Sequence, residues 1–208
     1  MNVQRFLIRF GACERGGAAE FALIVPLFIL LFVGVIDAGM FFYEVNRGEK
    51  ATQIGARMAV VTAPVASQLT AANYVGATVG STTLAQGDRI PATALGLLTC
   101  TGSSSNAQCT CTTSPCPDAA ADSAKFDDLV GRMQQILPRI EASNLVVEYR
   151  GSGLGYAGNP NGMDISPLVT VRLTGMQFAP TLLFGGTLTL PDFAYTLTME
   201  DGQGTGSN

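Results

Sequence analysis

Twenty-two consecutive residues, Phe21 to Phe42 (FALIVPLFILLFVGVIDAGMFF), carry a single charge, Asp37. A helix of that length runs roughly 33 Å, enough to cross a hydrocarbon core about 30 Å thick. Fifteen of the 22 are Leu, Ile, Val or Phe. At about −0.5 kcal/mol each they favour insertion by roughly 7 kcal/mol, against a cost of about 3 kcal/mol for one central Asp. Asp37 lies toward one end of the run, where that cost falls. The run predicts a transmembrane helix over residues 20–42 rather than a buried core helix. A cleaved secretory signal fits less well. Its apolar region usually runs about 7–15 residues and ends in a small-x-small site. This one is longer and ends in Asp37-Ala38-Gly39-Met40-Phe41-Phe42, without a clear site.

Flanking charge does not orient such a span. Arg5, Arg9 and Arg15 precede it, and Arg47, Lys50 and Arg57 follow it, so the positive-inside count is a tie. The cysteines break it. Cys100, Cys109, Cys111 and Cys116 crowd into a Ser/Thr-rich stretch beyond the span, where they would be exposed. There they make sense as two disulfides in an oxidising compartment. A zinc site is the weaker reading, because Cys-x-Cys followed by x4-Cys lacks paired Cys-x2-Cys knuckles. Of the three pairings, Cys109–Cys111 is too cramped. That leaves 100–109 with 111–116, or 100–111 with 109–116. Closing loops of this size stabilises by roughly 2–3 kcal/mol. Cys13, before the span, would remain a free thiol. The expectation is an N-terminal segment (1–19) in the cytoplasm and the main domain outside.

The residues around the span resemble a known family. Arg15-Gly16-Gly17-Ala18-Ala19-Glu20-Phe21-Ala22-Leu23-Ile24-Val25-Pro26-Leu27 looks like the opening of the TadE/TadG-like proteins, pilin-like components of the tight-adherence (Tad) pilus. Asp37-Ala38-Gly39 resembles the acidic-small-Gly element near the end of the family's apolar run. Ala51-Thr52-Gln53-Ile54-Gly55-Ala56-Arg57 resembles its Gly-Ala-Arg segment. The likeness covers about residues 15–60. It implies a structural subunit of the bacterial inner membrane, with the membrane, other pilin-like or Tad assembly subunits and a prepilin peptidase as partners. Arg15, Gly16 and Gly17 are the candidate processing residues. In pilin-like precursors the cut follows a glycine and leaves Glu at the fifth mature position. Counting back from Glu20 makes Gly16 first and puts Arg15 at the cut. A cut after Gly16 makes Glu20 fourth, one residue short of the pattern.

Glu20 and Asp37 are the candidate subunit-pairing charges, since a carboxylate at hydrocarbon depth is costly unless it has a partner. For Glu20 the resemblance implies the N-terminal amine of a neighbouring subunit. A carboxylate at a helix start facing headgroups is the plainer alternative, and hydration near the interface is the plainer one for Asp37. Gly34 and Ala38, four apart, have small-xxx-small spacing and are candidate helix-packing positions. Beyond the span the helix should continue over 43–63. Ala51, Ile54, Met58 and Val61 form a stripe at helical spacing, Gly48, Gly55 and Ala59 thin another part of the surface, and Pro64 ends the pattern.

The remainder, 64–200, reads as an α+β domain outside the cytoplasm: an antiparallel sheet covered by a helix, with a disulfide loop at 100–116. A strand is expected near Tyr74–Val79. A helix is expected over Asp118–Ile140, capped by Asp118 or Asp122, with Pro138 bringing an early end. Strands are expected at Leu145–Arg150, Leu168–Thr174 and Phe193–Met199. The tail 201–208 is Gly/Ser/Thr-rich and expected to be disordered.

The chemistry inventory is thin. The chain has no histidine, which removes Ser-His-Asp and Cys-His sites. A Ser-Lys site would have only Lys50 and Lys125 to draw on. Gly153-Leu154-Gly155-Tyr156-Ala157-Gly158 satisfies G-x-G-x-x-G, but Asn159-Pro160-Asn161-Gly162 follows where a phosphate site needs a helix. It is expected to be a flexible hairpin loop. Asn159, Asn161 and Asp164 lack the leading Asp and closing Glu of a calcium loop. With 12 basic and 16 acidic residues there is no field for nucleic acid. The expected function is a TadE-like minor pilin or pseudopilin of Tad (Flp-type) pilus assembly, with no catalytic residues, cofactor, metal or small-molecule substrate. A membrane-anchored binding or adhesive module, recognising through the 100–116 and 151–162 loops, is the alternative.

Overall fold

The computed structural model describes residues 16–103, 106–183 and 185–204. Its first element is a helix of 46 residues, α1 (Gly16–Val61), which contains Pro26 without ending there. By length and composition it can cross a membrane, and among the described residues it is the one such helix. The chain divides into two compact units. One combines α1 up to Glu44 with the distant segment Phe178–Leu188; the other comprises Val45–Gln177 and the residues from Thr189 onward. The expected boundary at residue 64 thus differs from the observed one. Val45–Val61 belongs to the second unit, and 178–188 leaves it for the anchor.

The first unit is apolar and open. Leu23, Leu27, Leu31 and Val35 are 74%, 68%, 65% and 66% exposed, and Phe21, Ile24, Phe28 and Phe32 are 57–69% exposed. A helix that is apolar and uncovered all round needs lipid or other helices against it. Phe178–Leu188 includes a single 3-10 turn, Thr181–Leu183.

The second unit is mixed α+β. After α1 come a short helix α2 (Gln68–Ala71), a small ribbon of β1 (Thr78–Val79) and β2 (Thr82–Thr83), and a hairpin of β3 (Leu97–Ser103) and β4 (Asn106–Thr113). Helix α3 (Ser123–Gln134), β5 (Leu145–Arg150) and β6 (Leu168–Leu173) follow. Short strands β7 (Gln177–Phe178) and β8 (Leu188–Thr189) bound the 178–188 excursion, and β9 (Phe193–Thr198) is the last strand. The main sheet is antiparallel, in the order β4-β3-β5-β6-β9. Alternation sets its core face: Leu98 and Cys100, then Leu145, Val147 and Tyr149, then Val169, Val171 and Leu173 are buried, as period-2 side-chain placement requires. Cys100 lies opposite Val147, which lies opposite Val171.

The part of α1 in this unit meets the sheet with its small residues. Ala51, Thr52, Ala56, Ala59 and Val60 are buried, while Ile54, Met58 and Val61 are only half-buried. Of the expected stripe Ala51 lies on the contact face, which is the small-residue one, and the larger Ile54, Met58 and Val61 form its flank. A β-carbon on Gly48 would lie 2.5–2.9 Å from the Phe193 ring, and one on Gly55 would lie 2.7 Å from Met133 Sδ. Only glycine allows so close an approach. Gly48→Val is expected to destabilise by about 1–3 kcal/mol through overpacking, measured as a lower denaturation midpoint of full-length protein in detergent.

Helix α3 starts five residues later than the Asp118 start expected. Asp122 caps it, accepting from the amides of Ala124 (3.0 Å) and Lys125 (3.2 Å). Ala121 is instead bridged to Ala66. The helix ends at Gln134, short of Pro138, and Arg47 donates through Nε to the Ile136 carbonyl beyond it (2.7 Å). Phe126, Leu129, Val130 and Met133 are buried on its inner face. The strand expected near Tyr74 is confined to Thr78–Val79. The largest correction is at the expected disulfide loop 100–116, most of which belongs to two strands, β3 and β4. Cys100 and Cys109 are buried there, not exposed.

The end of the chain also departs from expectation. Glu200 and Asp201 donate their amides to the Val60 carbonyl, and Ala63 donates to the Gly204 carbonyl. The C-terminal segment thus satisfies one carbonyl in the last turn of α1 and the Ala63 amide just beyond it. Residues 201–204 are ordered by this; 205–208 lie outside the described residues.

Candidate functional site

Of the candidate processing residues, Arg15 lies outside the described residues, as does Cys13. Gly16 and Gly17 form the first positions of α1. Glu20 is exposed one turn further on.

Asp37 has partners in its own chain. Oδ1 accepts the Thr181 amide (3.0 Å) and Oδ2 accepts the Leu182 amide (2.8 Å). These are the first amides of the 3-10 turn, which an anionic acceptor satisfies well. The side chain is 8% exposed, so both oxygens are occupied and nearly covered. Three turns of α1 grip the same segment. Gly34, one turn before Asp37, leaves room for Leu182, whose Cδ1 would be 3.3 Å from a β-carbon there. Phe41, one turn after, meets Phe178 edge-to-face at 5.7 Å between ring centres. Positions 34, 37 and 41 share one helix face. Gly34 is therefore filled from within the chain, while Ala38 is exposed. A β-carbon on Gly39 would meet nothing within 4 Å, and this position continues the four-residue spacing of Leu27, Leu31 and Val35. Gly39 is thus open to neighbours. Sequence spacing singles out Gly34 and Ala38 but cannot show that Leu182, far along the chain, fills the first of them.

In the second unit the glycine-rich loop is ordered around one carboxylate. Asp164 accepts from the amides of Tyr74 (2.8 Å), Gly158 (3.0 Å) and Asn159 (2.9 Å). Gly155, at φ 116°, is bridged to Ile165. The loop expected to be flexible is therefore tied at its centre. Three amides converging on the carboxylate give it the polarity opposite to that of a cation site. Among the described residues no group of three His, Cys, Asp or Glu side chains could hold a metal.

The disulfides join Cys100 to Cys109 and Cys111 to Cys116, one of the two pairings left open by spacing. Cys100 and Cys109 are directly opposite across β3 and β4.

Tyr149 is fully buried on β5, and its hydroxyl accepts the Val65 amide at 2.9 Å. Burial pushes its phenol well above the ordinary range. The Tyr74 phenol is also raised, by burial and then by the negative charge of Asp164. A phenol whose folded pKa is raised contributes stability that is full below the unfolded value, about 10, and is lost as pH rises beyond it. The denaturation midpoint is expected to fall between about pH 9 and about pH 11, with a shallower fall in Tyr149→Phe.

Residues 16–57 match the family described as TadE-like protein, the family that the residues around the span resemble. The match covers the anchor and the small-residue face of α1 as far as Arg57. No curated protein and no solved structure matches the chain.

Proposed function

We propose that this TadE-like chain is a minor pilin or pseudopilin, a structural subunit that joins Tad (Flp-type) pilus assembly through its anchor helix. The match over residues 16–57 supports a pilin-like, Tad-associated role in general. The observation that carries the finer reading is the coincidence of that match with an uncovered apolar surface that includes Leu23, Leu27, Leu31 and Val35. In a bilayer, helices associate through close packing and polar contacts rather than through exclusion from water. That surface and Gly39 supply the packing, and Glu20 at the cytoplasmic end of the helix supplies the charge that meets a neighbour's N-terminal amine. Asp37, occupied within the chain, is not needed for that pairing.

On this reading the chain is a single-pass protein of the bacterial inner membrane. Its N-terminus is cytoplasmic and its α+β unit lies outside, where an oxidising compartment keeps the two disulfides formed. Arg15 to Gly17 are where a prepilin peptidase would act.

Replacing residues 21–33 by an unrelated apolar sequence of equal length, with Gly34, Asp37 and Phe41 kept, separates the readings. A pilin-like subunit loses pilus assembly while still fractionating with membranes. A binding module that uses the helix only as a tether keeps its function, and that result would count against the proposal.

A further inference from the structure

We infer that Phe178–Leu188 is a second membrane contact: an apolar loop that enters the bilayer at the Phe42 end of the span, beside α1, with Asp37 as its polar pin. This rests on the reading that α1 crosses the bilayer.

The segment reads Phe-Ala-Pro-Thr-Leu-Leu-Phe-Gly-Gly-Thr-Leu and has no charge. It groups with the anchor rather than with the sheet. Its depth follows from the helix register. Leu182 sits at Gly34, eight residues before the end of the apolar run at Phe42, or roughly 12 Å along the axis. If α1 spans the bilayer, Leu182 lies below the headgroups. Irregular backbone at that depth must have its amides satisfied by protein. Pro180 has no amide to satisfy, and Asp37 takes the next two, those of Thr181 and Leu182. This also accounts for an acidic residue within an otherwise uncharged run. Leu188, in β8 paired with β7, is 46% exposed toward the Phe42 end of the run, where the shallow part of the acyl chains is the occupant that continues the surrounding phase.

The test uses full-length protein in the Cys13→Ser background, reconstituted into phosphatidylethanolamine/phosphatidylglycerol vesicles. A polarity-sensitive fluorophore is placed at Leu188→Cys or, in a parallel sample, at Leu27→Cys. Lipids brominated on their acyl chains and aqueous iodide are the two quenchers. The expected result is strong bromolipid quenching at both positions. Asp37→Ala should lower it several-fold at 188 alone, and Asp37→Asn, which keeps one acceptor oxygen, should lower it less. Bromolipid quenching at 27 with iodide quenching at 188 would overturn the inference while leaving the anchor intact. Iodide quenching at both would overturn the spanning helix and the inference with it. Protection of 188 from both quenchers, relieved by dilution with empty lipid, would assign the loop to a contact between copies and also overturn it. So would quenching at 188 that both Asp37 variants leave unchanged.

Discussion

Asp164→Ala is expected to lower the unfolding free energy of the α+β unit by about 3–5 kcal/mol, a large part of the 5–15 kcal/mol typical of a domain. The carboxylate takes three backbone amides, from Tyr74, Gly158 and Asn159. Hydrogen bonds to a charged group contribute roughly 1.5–3 kcal/mol each, and losing the acceptor strands its donors. The side chain is 6% exposed, so water cannot readily replace it. Two segments far apart in sequence depend on it: the turn at Tyr74 and the loop at 155–165. Asp164→Asn should cost less, because one carbonyl oxygen remains while the new NH2 faces a donor. Chemical denaturation of full-length protein in detergent, followed by circular dichroism, measures both. Equal, small losses for the two variants would show that water already solvates the loop.

Removing the Cys100–Cys109 disulfide is expected to destabilise by about 2–5 kcal/mol, the range for a native bridge in a small domain. Removing Cys111–Cys116 should cost less. The two bridges join cysteines separated by 9 and 5 residues, which by chain entropy alone makes a small difference. Burial makes the larger one. Cys100 is fully buried and Cys109 is 7% exposed, in the same layer as Val147 and Val171, whereas Cys111 is exposed. Replacing the first pair by alanine therefore removes packing as well as the crosslink. Denaturation midpoints of the two double-alanine proteins check the order. A larger loss from the 111–116 pair would reverse it.

The anchor is legible in the sequence because its signal is local: an uninterrupted apolar run admits few other structures. Strands β5, β6 and β9 are legible for the same reason, since Leu145, Val147 and Tyr149 alternate with Val146, Glu148 and Arg150. The β3–β4 hairpin is not. Its buried face is carried by Leu98, Cys100, Ala107 and Cys109 amid Ser and Thr, too small an apolar pattern to stand out from a polar loop. Thr is itself at home in strands, but that preference is weak beside four cysteines that suggest a loop. The contact face of α1 is also hard to read, because hydrophobicity points to Ile54 and Met58 whereas close approach to a sheet favours Gly and Ala. The partners of Asp37 come from a segment brought back only by the completed fold, so no pattern around residue 37 announces them.

These features leave α1 with two stretches. One, at Gly34, Asp37 and Phe41, is engaged with the chain's own loop. The other, from Phe21 to Phe32, is uncovered, with Leu23, Leu27 and Leu31 among its exposed residues. A photocrosslinking residue at Leu31 in intact cells, under native expression, tests whether that uncovered stretch assembles the protein. The account predicts adducts with other pilin-like subunits at Leu31 and far fewer from the same probe at Gln68, which is exposed in the α+β unit. Adducts with lipid alone at Leu31, in cells that assemble the pilus normally, would contradict it.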